Sequence, residues 1–282
     1  MAPSLPLGDL LRFIREDAPS GDLTGSALAP LGRCRAEIRA KEAGVIAGIE
    51  EASALFSHFG VSVAPALSDG DACVKGSLVI SLEGDAEPIL LAERTALNLL
   101  SRMSGIATAT RAMVEAAGNL NPSLRIAATR KTCPGMRALD KKAIVLGGGD
   151  PHRLTLSDMI LIKDNHLKLL PLGEAVRRAR RVSPPERIEV EVTCAEEAIE
   201  AAGAGAGILM FDNMDPGSIG AAIRELKSRG LREGLLLEAS GGIGAGNLKE
   251  YASLDLDRVS VGALTHSVHG LDLSLEIVSR VD

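Results

Sequence analysis

In the first third of the chain, polar and apolar residues alternate over short runs separated by Gly and Asp. Residues 35–40, 44–47, 61–64 and 77–82 have this form, which predicts strands with one buried face. Asp69-Gly70-Asp71 has the composition of a turn between two of them. Residues 5–16 and 52–59 instead space their apolar positions as amphipathic helices do. Gly21-Asp22-Leu23-Thr24 carries turn chemistry, with Asp22 or Thr24 able to cap or close the bend. Together these elements predict a small α/β domain. Pro88 then opens a long helical stretch from 89 to about 117, with Gly105 as a candidate break.

After Asn121-Pro122 the pattern changes. Short apolar runs at 125–128, 159–162, 188–192, 208–211, 235–237 and 259–261 alternate with helical segments at 173–182, 195–202, 217–227 and 247–253. Strands and helices alternating at this spacing predict parallel strands joined by crossover helices. Six such units favour a (β/α) barrel, with an open doubly wound sheet as the alternative. The last residues, around His266 and His269, read as a helical tail. The domain division follows: 1–105 as an N-terminal α/β sandwich on which the tail packs back, and 106–282 as the barrel.

Composition narrows the possible functions. Trp is absent, Tyr occurs once and Phe four times, so stacking platforms for single-stranded nucleic acid are missing. A formal charge of −6 supplies no global attraction to nucleic acid or membrane. From Arg125 to Arg181, however, thirteen Lys/Arg stand against five Asp/Glu, which points to a small anionic ligand. The four cysteines are far apart and form no CxxC pair, as expected of reduced thiols in a cytoplasmic protein. No apolar run approaches the length of a membrane span, and the first residues lack the pattern of a signal peptide.

Polar residues recur where the predicted parallel strands finish: Arg130, Lys163, Glu191, Asp212, Ser240 and Gly262. In a (β/α) barrel those ends converge on one mouth, where catalysis takes place. Three features stand out there. The run Ile188–Val192 alternates, so Glu189 and Glu191 share a face that needs a cation or donors. Glu191, with Asp212 one strand later, is placed to hold Mg²⁺ or to stabilise a developing positive charge. Ser240-Gly241-Gly242 precedes a helix and brings bare backbone N–H groups together, as a phosphate requires, and Gly262 adds a neighbouring wall. Lys163 among other cations also suits a Schiff-base enzyme acting on a sugar phosphate.

At these residues the sequence resembles the quinolinate phosphoribosyltransferases. The matching stretches begin with Glu93-Arg94-Thr95-Ala96-Leu97-Asn98, Ser104-Gly105-Ile106-Ala107-Thr108 and Thr129-Arg130-Lys131-Thr132-Cys133-Pro134-Gly135. They continue with Gly147-Gly148-Gly149, His152-Arg153 and Leu161-Ile162-Lys163-Asp164-Asn165-His166, and end with Asp212-Asn213, Ser240-Gly241-Gly242 and Val261–Ser267. Cys133 stands where the family pattern leads us to expect Thr, and Asp150-Pro151 precedes the His-Arg pair. The resemblance implies an N-terminal α/β sandwich, an incomplete (β/α) barrel, and conversion of quinolinate and phosphoribosyl pyrophosphate to nicotinate mononucleotide, CO₂ and pyrophosphate with Mg²⁺. It implies that Arg94 (from a partner subunit of a homodimer), Thr129, Arg130, Lys131, His152, Arg153 and Lys163 bind the carboxylates and phosphates. Glu191 and Asp212 fall near the ribose and the metal, and Ser240, Gly241, Gly242 and Gly262 cradle the 5′-phosphate. Lys131, Lys163, Glu191 and Asp212 form the catalytic set.

Overall fold

A computed structural model describes residues 5–281, which divide into two compact units. The first takes the chain up to Arg111, together with Cys133–Gly148 and the segment from Ser267; the second takes Ala112–Thr132 and Gly149–His266. The chain therefore crosses between the units several times. The single division expected after residue 105 falls inside a continuous helix, Ala86–Gly118.

The first unit holds strands β1 (Arg33–Ala40), β2 (Gly44–Val45), β3 (Ser62–Pro65), β4 (Ala72–Cys73) and β5 (Leu78–Asp85). Alternation on β1 buries Cys34, Ala36, Ile38 and Ala40, while Arg35, Glu37 and Arg39 remain on the other face. β1 pairs antiparallel with β5, which brings Ile38 opposite Ile80. Helices Leu7–Asp17, Leu23–Leu28 and Ile49–His58 accompany the sheet. Asp22 caps the second of these by accepting from the Thr24 N–H at 2.9 Å, one of the two roles its turn sequence predicts.

The 33-residue helix Ala86–Gly118 runs through Gly105 without a break. One glycine costs a helix interior about 1 kcal/mol, less than the packing around it returns. The reason for glycine is local: a Cβ at 105 would lie 2.0 Å from the His269 carbonyl oxygen. Ser104, one residue earlier, is fully buried and accepts from the Ala47 N–H at 2.9 Å.

The second unit carries the parallel strands β6 (Arg125–Ala127), β7 (Ile160–Ile162), β8 (Ile188–Val192), β9 (Ile208–Asp212), β10 (Leu236–Ser240) and β11 (Arg258–Ser260). All six lie within a residue or three of their predicted places. They form one sheet in the order β6-β11-β10-β9-β8-β7, with crossover helices at Leu172–Arg180, Ala195–Ala204, Pro216–Ser228 and Leu248–Ala252. Ile188, Val190 and Val192 are fully buried on the face away from Glu189 and Glu191. Residues from both edge strands' loops, after β6 and β7, line the same cavity. The sheet therefore curls toward closure, while among the described residues no ladder joins β6 to β7.

The helix expected around His266 is short, Ala263–His266, and is followed by a final strand that the sequence reading did not assign, β12 (Leu273–Arg280). It pairs antiparallel with the free edge of β1, giving the order β12-β1-β5-β3. The sequence Leu273-Ser274-Leu275-Glu276-Ile277 alternates at period two, the signal for a strand rather than a helix. None of the described helices is long and apolar enough to cross a membrane.

Candidate active site

The C-terminal ends of the parallel strands open on a cavity of about 430 Å³. Ala128, Thr129, Arg130 and Lys131 enter from the loop after β6, Leu161 and Lys163 from β7 and its loop, and Glu191 from β8. Met210, Asp212 and Asn213 follow from β9, and Ser240 and Ser260 from the ends of β10 and β11. His152 and Arg153 complete the wall. Four Lys/Arg side chains thus face two carboxylates.

The cations are fixed rather than loosely solvated. Arg153 is only 8% exposed, and its Nη1 donates to the Met159 carbonyl at 3.3 Å. Burial, and then the positive charge of Arg130, pull its guanidinium below its ordinary pKa. Arg130 Nε is itself buried, with no hydrogen-bond partner among the described residues. Glu189, Glu191 and Asp158 offset the pull on Arg153 only in part, so its charge is destabilised until an anion arrives. Lys131 is anchored by its backbone, donating to Thr129 Oγ1 at 3.1 Å and accepting from Thr265 Oγ1 at 3.0 Å.

Lys163 stands where β7 meets the short helix Asp164–Leu167, and its backbone N–H donates to His166 Nδ1 at 2.9 Å. Its ammonium donates to Glu191, whose side chain is 13% exposed. Asp212, beside it on the mouth, accepts from Asn213 Nδ2 at 2.9 Å. With Glu191 engaged by Lys163, this pair cannot cage a cation alone. It suits Mg²⁺ that arrives on a polyphosphate and takes one or two protein carboxylates.

The glycines of the β10 loop do not line the cavity directly, and their conformation explains their identity. Gly241 has φ +102°, and a Cβ there would lie 2.3 Å from Asn213 Oδ1. Gly242 also has positive φ, and a Cβ at Gly262 would be squeezed at 3.2 Å against His266. Arg94 belongs to the first unit, exposed on the long helix, and does not line this cavity.

Below the mouth lies a charged layer that the sequence only half announces. His152 has φ 52°, and its Nε2 lies 3.4 Å from carboxylate oxygens of both Glu189 and Glu238. Glu238 is also held by Arg258 and Ser260, and Arg258 lies 3.6 Å from Asp150. Burial opposes charge on His152, but the two carboxylates outweigh it and lift its pKa to about 9. Charge alone would therefore make the ring an imidazolium at neutral pH, but the Arg153 N–H, 2.7 Å from Nδ1, occupies the lone pair that a second proton needs, and this contact assigns a neutral ring with its one proton on Nε2. Burial first, and then Glu238, push Glu189 upward, whereas His152 and Arg258 overcome burial to hold Glu238 below the usual range.

Met210 and Ser260 line the cavity without having been singled out, and Asn213, quoted only as part of a family stretch, without having been given a role. Asn213 had a readable signal: Asn after an Asp at a strand end tolerates left-handed backbone, and here φ is 54°. Met210 and Ser260 had none beyond their place on the inward face of a strand.

Comparison with known proteins supplies the remaining evidence. Residues 22–104 match the model for the quinolinate phosphoribosyl transferase N-terminal domain, and 106–276 the model for its C-terminal domain. The probable nicotinate-nucleotide pyrophosphorylase [carboxylating] of Methanothermobacter thermautotrophicus is 46% identical over 273 residues, 95% of this chain and 98% of that protein. The human nicotinate-nucleotide pyrophosphorylase [carboxylating] is 35% identical, covering 99% of this chain and 94% of its own. The crystal structure of NadC from Streptococcus pyogenes superposes with a TM-score of 0.90 at 35% identity, covering 99% of this chain and all of that one. With both domain models matched and full-length relatives well above 30% identity, the chain belongs to the quinolinate phosphoribosyl transferase family.

Proposed function

We propose that the protein transfers the phosphoribosyl group of phosphoribosyl pyrophosphate to quinolinate and releases pyrophosphate and CO₂, leaving nicotinate mononucleotide for NAD biosynthesis. The observation that carries this reading is the pair Arg130 and Arg153 in the cavity wall, where Arg130 Nε has no hydrogen-bond partner among the described residues and burial and Arg130 outweigh the carboxylates acting on Arg153. One carboxylate does not engage two guanidinium forks; a pyridine dicarboxylate does, with Lys131 and Lys163 left for the phosphates.

The chemistry follows from the same residues. The pyridine nitrogen attacks ribose C1 as its bond to the pyrophosphate oxygen breaks, and the leaving group keeps that electron pair. Positive charge grows on the ribose, where Glu191 and Asp212 at adjacent strand ends stabilise it. Asp212, with Glu191 beside it, would hold Mg²⁺, which when bound would supply charge neutralisation for the departing pyrophosphate. The bond from C2 to its carboxylate then breaks and CO₂ leaves; the electron pair stays on C2, stabilised by the adjacent positive ring nitrogen, and takes up a proton. Protein groups need only orient and desolvate that carboxylate. The backbone of Ser240–Gly242 and Gly262 receives the 5′-phosphate. In this reading Lys163 acts as a cation, since its ammonium is already engaged by Glu191. That engagement disfavours the Schiff-base alternative.

The protein acts as a homodimer, or a multiple of dimers, in which Arg94 serves the partner's site, and it works in the cytoplasm. An exposed, unassigned arginine in a stretch shared with the family supports the first statement, and four free cysteines support the second. The test is a product assay with Mg²⁺ and either quinolinate or nicotinate. Quinolinate is expected to give nicotinate mononucleotide and CO₂ in equal amounts. Nicotinate is expected to be poorer in kcat/KM by a factor on the order of 10⁴, because it leaves buried donors unpaired. Equal kcat/KM for the two acceptors refutes the reading.

A further inference from the structure

Glu189 is fully buried, and neither of its carboxylate oxygens makes a hydrogen bond among the described residues. An isolated buried carboxylate is expensive, and apolar residues would fill the space more cheaply. What it faces is the Nε2 of His152, at 3.4 Å, with Glu238 on the other side at the same distance. The charged groups around the ring among the described residues can be named. Glu189 comes from β8, Glu238 from β10 and Arg258 from β11, while Asp150 and Arg153 belong to the ring's own loop.

The ring occupies a strained place. His152 adopts the left-handed region, its N–H donates to Asp150 Oδ1 at 2.7 Å, and its Nδ1 receives the Arg153 N–H at 2.7 Å. Nδ1 is committed to the Arg153 N–H, while Nε2 is buried, makes no hydrogen bond among the described residues and faces the two carboxylates at 3.4 Å; the side chain is 6% exposed. His152 therefore presents no nitrogen to the cavity that it borders. Instead, its Nδ1 is the acceptor that fixes the backbone from which the Arg153 guanidinium reaches the mouth. A cation on Nε2 is disfavoured by the same contact. A metal-bound neutral imidazole must carry its proton on Nδ1, where the Arg153 N–H already points.

We propose that Glu189 and Glu238 are positioning residues for the acceptor site: they hold the His152 proton on Nε2, so that Nδ1 clamps the Arg153 backbone and aims its guanidinium beside Arg130. The division of labour is unequal. Glu238 also hydrogen-bonds with Arg258 and Ser260, whereas Glu189 makes no hydrogen bond among the described residues and acts on Arg258 and Arg153 through its charge alone. Glu189 is therefore the cleaner probe. The inference rests on quinolinate being the acceptor, as argued above.

The experiment uses the full-length enzyme, with Glu189→Leu and Glu189→Gln beside wild type. Steady-state kinetics are run against both substrates, with nitrogen NMR of His152 in each protein. Wild type should show a protonated Nε2 and an unprotonated Nδ1 at neutral pH. Glu189→Leu should raise KM for quinolinate about tenfold or more, with kcat and the KM for phosphoribosyl pyrophosphate within about threefold. Glu189→Gln keeps a carbonyl acceptor for Nε2–H and should return that KM to within about threefold of wild type. Parallel loss of kcat and both KM values, unrescued by Gln, overturns the proposal in favour of a general structural role. So does an unchanged KM in Glu189→Leu. A wild-type spectrum with both nitrogens protonated overturns it even if neither variant folds. Failure of wild type to use quinolinate would instead refute the substrate reading, and the spectrum would still decide the tautomer.

Discussion

Arg130 and Arg153 carry opposite burdens before and after substrate binds. Unliganded, Arg130 raises the cost of the Arg153 charge; liganded, each supplies a planar fork to a carboxylate. Arg153→Lys keeps the charge but loses the fork, and it should raise KM for quinolinate about tenfold while thermal stability stays the same or improves. Parallel measurements of KM and melting temperature check both halves. Glu191 and Asp212 act at a different moment. Their charge matters most when the ribose becomes cationic, so Glu191→Gln and Asp212→Asn should lower kcat by a factor on the order of 10²–10³ with little change in quinolinate affinity. Single-turnover rates set against equilibrium binding distinguish this from loss of acceptor contacts.

At the scale of elements, Gly105 and the helix Arg137–Leu146 show where pattern and packing part company. Gly105→Ala improves helix propensity by about 1 kcal/mol, yet its methyl would meet backbone at 2.0 Å, and a backbone shift of that kind costs about 1–3 kcal/mol. A lower midpoint in urea is therefore expected. The helix Arg137–Leu146 carries no clear hydrophobic stripe because its packed face is charged. Asp140 receives both Arg102 nitrogens at 2.8 and 2.9 Å, and Lys142 meets Glu50, Glu51 and Asp69 at 2.6, 2.9 and 3.4 Å. A period built from Asp and Lys is invisible to a reading of apolar residues. The strands were legible for the opposite reason: Ile188–Val192 alternates cleanly, and its structural bounds equal the predicted ones. Most of the cavity wall was legible too, because cations and carboxylates at successive strand ends have few other places to go. The layer beneath it was not, since Glu238 and Arg258 resemble ordinary surface charges until β10 and β11 pair. Lys142 gives a pH prediction. Burial opposes its charge, but Glu50, Glu51 and Asp69 win and raise its pKa above the ordinary 10.5. Its contribution is thus complete below pH 10.5 and is lost as pH rises through the higher folded value. Lys142→Met should cost about 3–5 kcal/mol at neutral pH and flatten that alkaline loss in urea titrations.

For the whole molecule, the relevant unit of activity is the assembly proposed for Arg94. In a C₂ dimer each subunit lends its Arg94 to the other, so the exchange is reciprocal. Chains carrying Arg94→Ala and chains carrying Lys163→Ala should each be inactive. Mixed with subunit exchange, about half the dimers become hybrid, each with one intact site, and about a quarter of wild-type activity returns. Hybrids confirmed by mass but without activity would show that Arg94 serves its own subunit.

The pairing of β12 with β1 has a consequence for how the protein is made. β1 is translated early, but the strand that covers its free edge follows every strand of the parallel sheet. Until then the nascent chain presents β1 as an open edge, with unpaired N–H and C=O groups along eight residues. The first sheet to be started is among the last structures to be finished. A ribosome stalled late in translation, or a protease trimming the last strand, would thus leave behind a chain with its parallel sheet encoded in full and a ready template for aggregation at its other end.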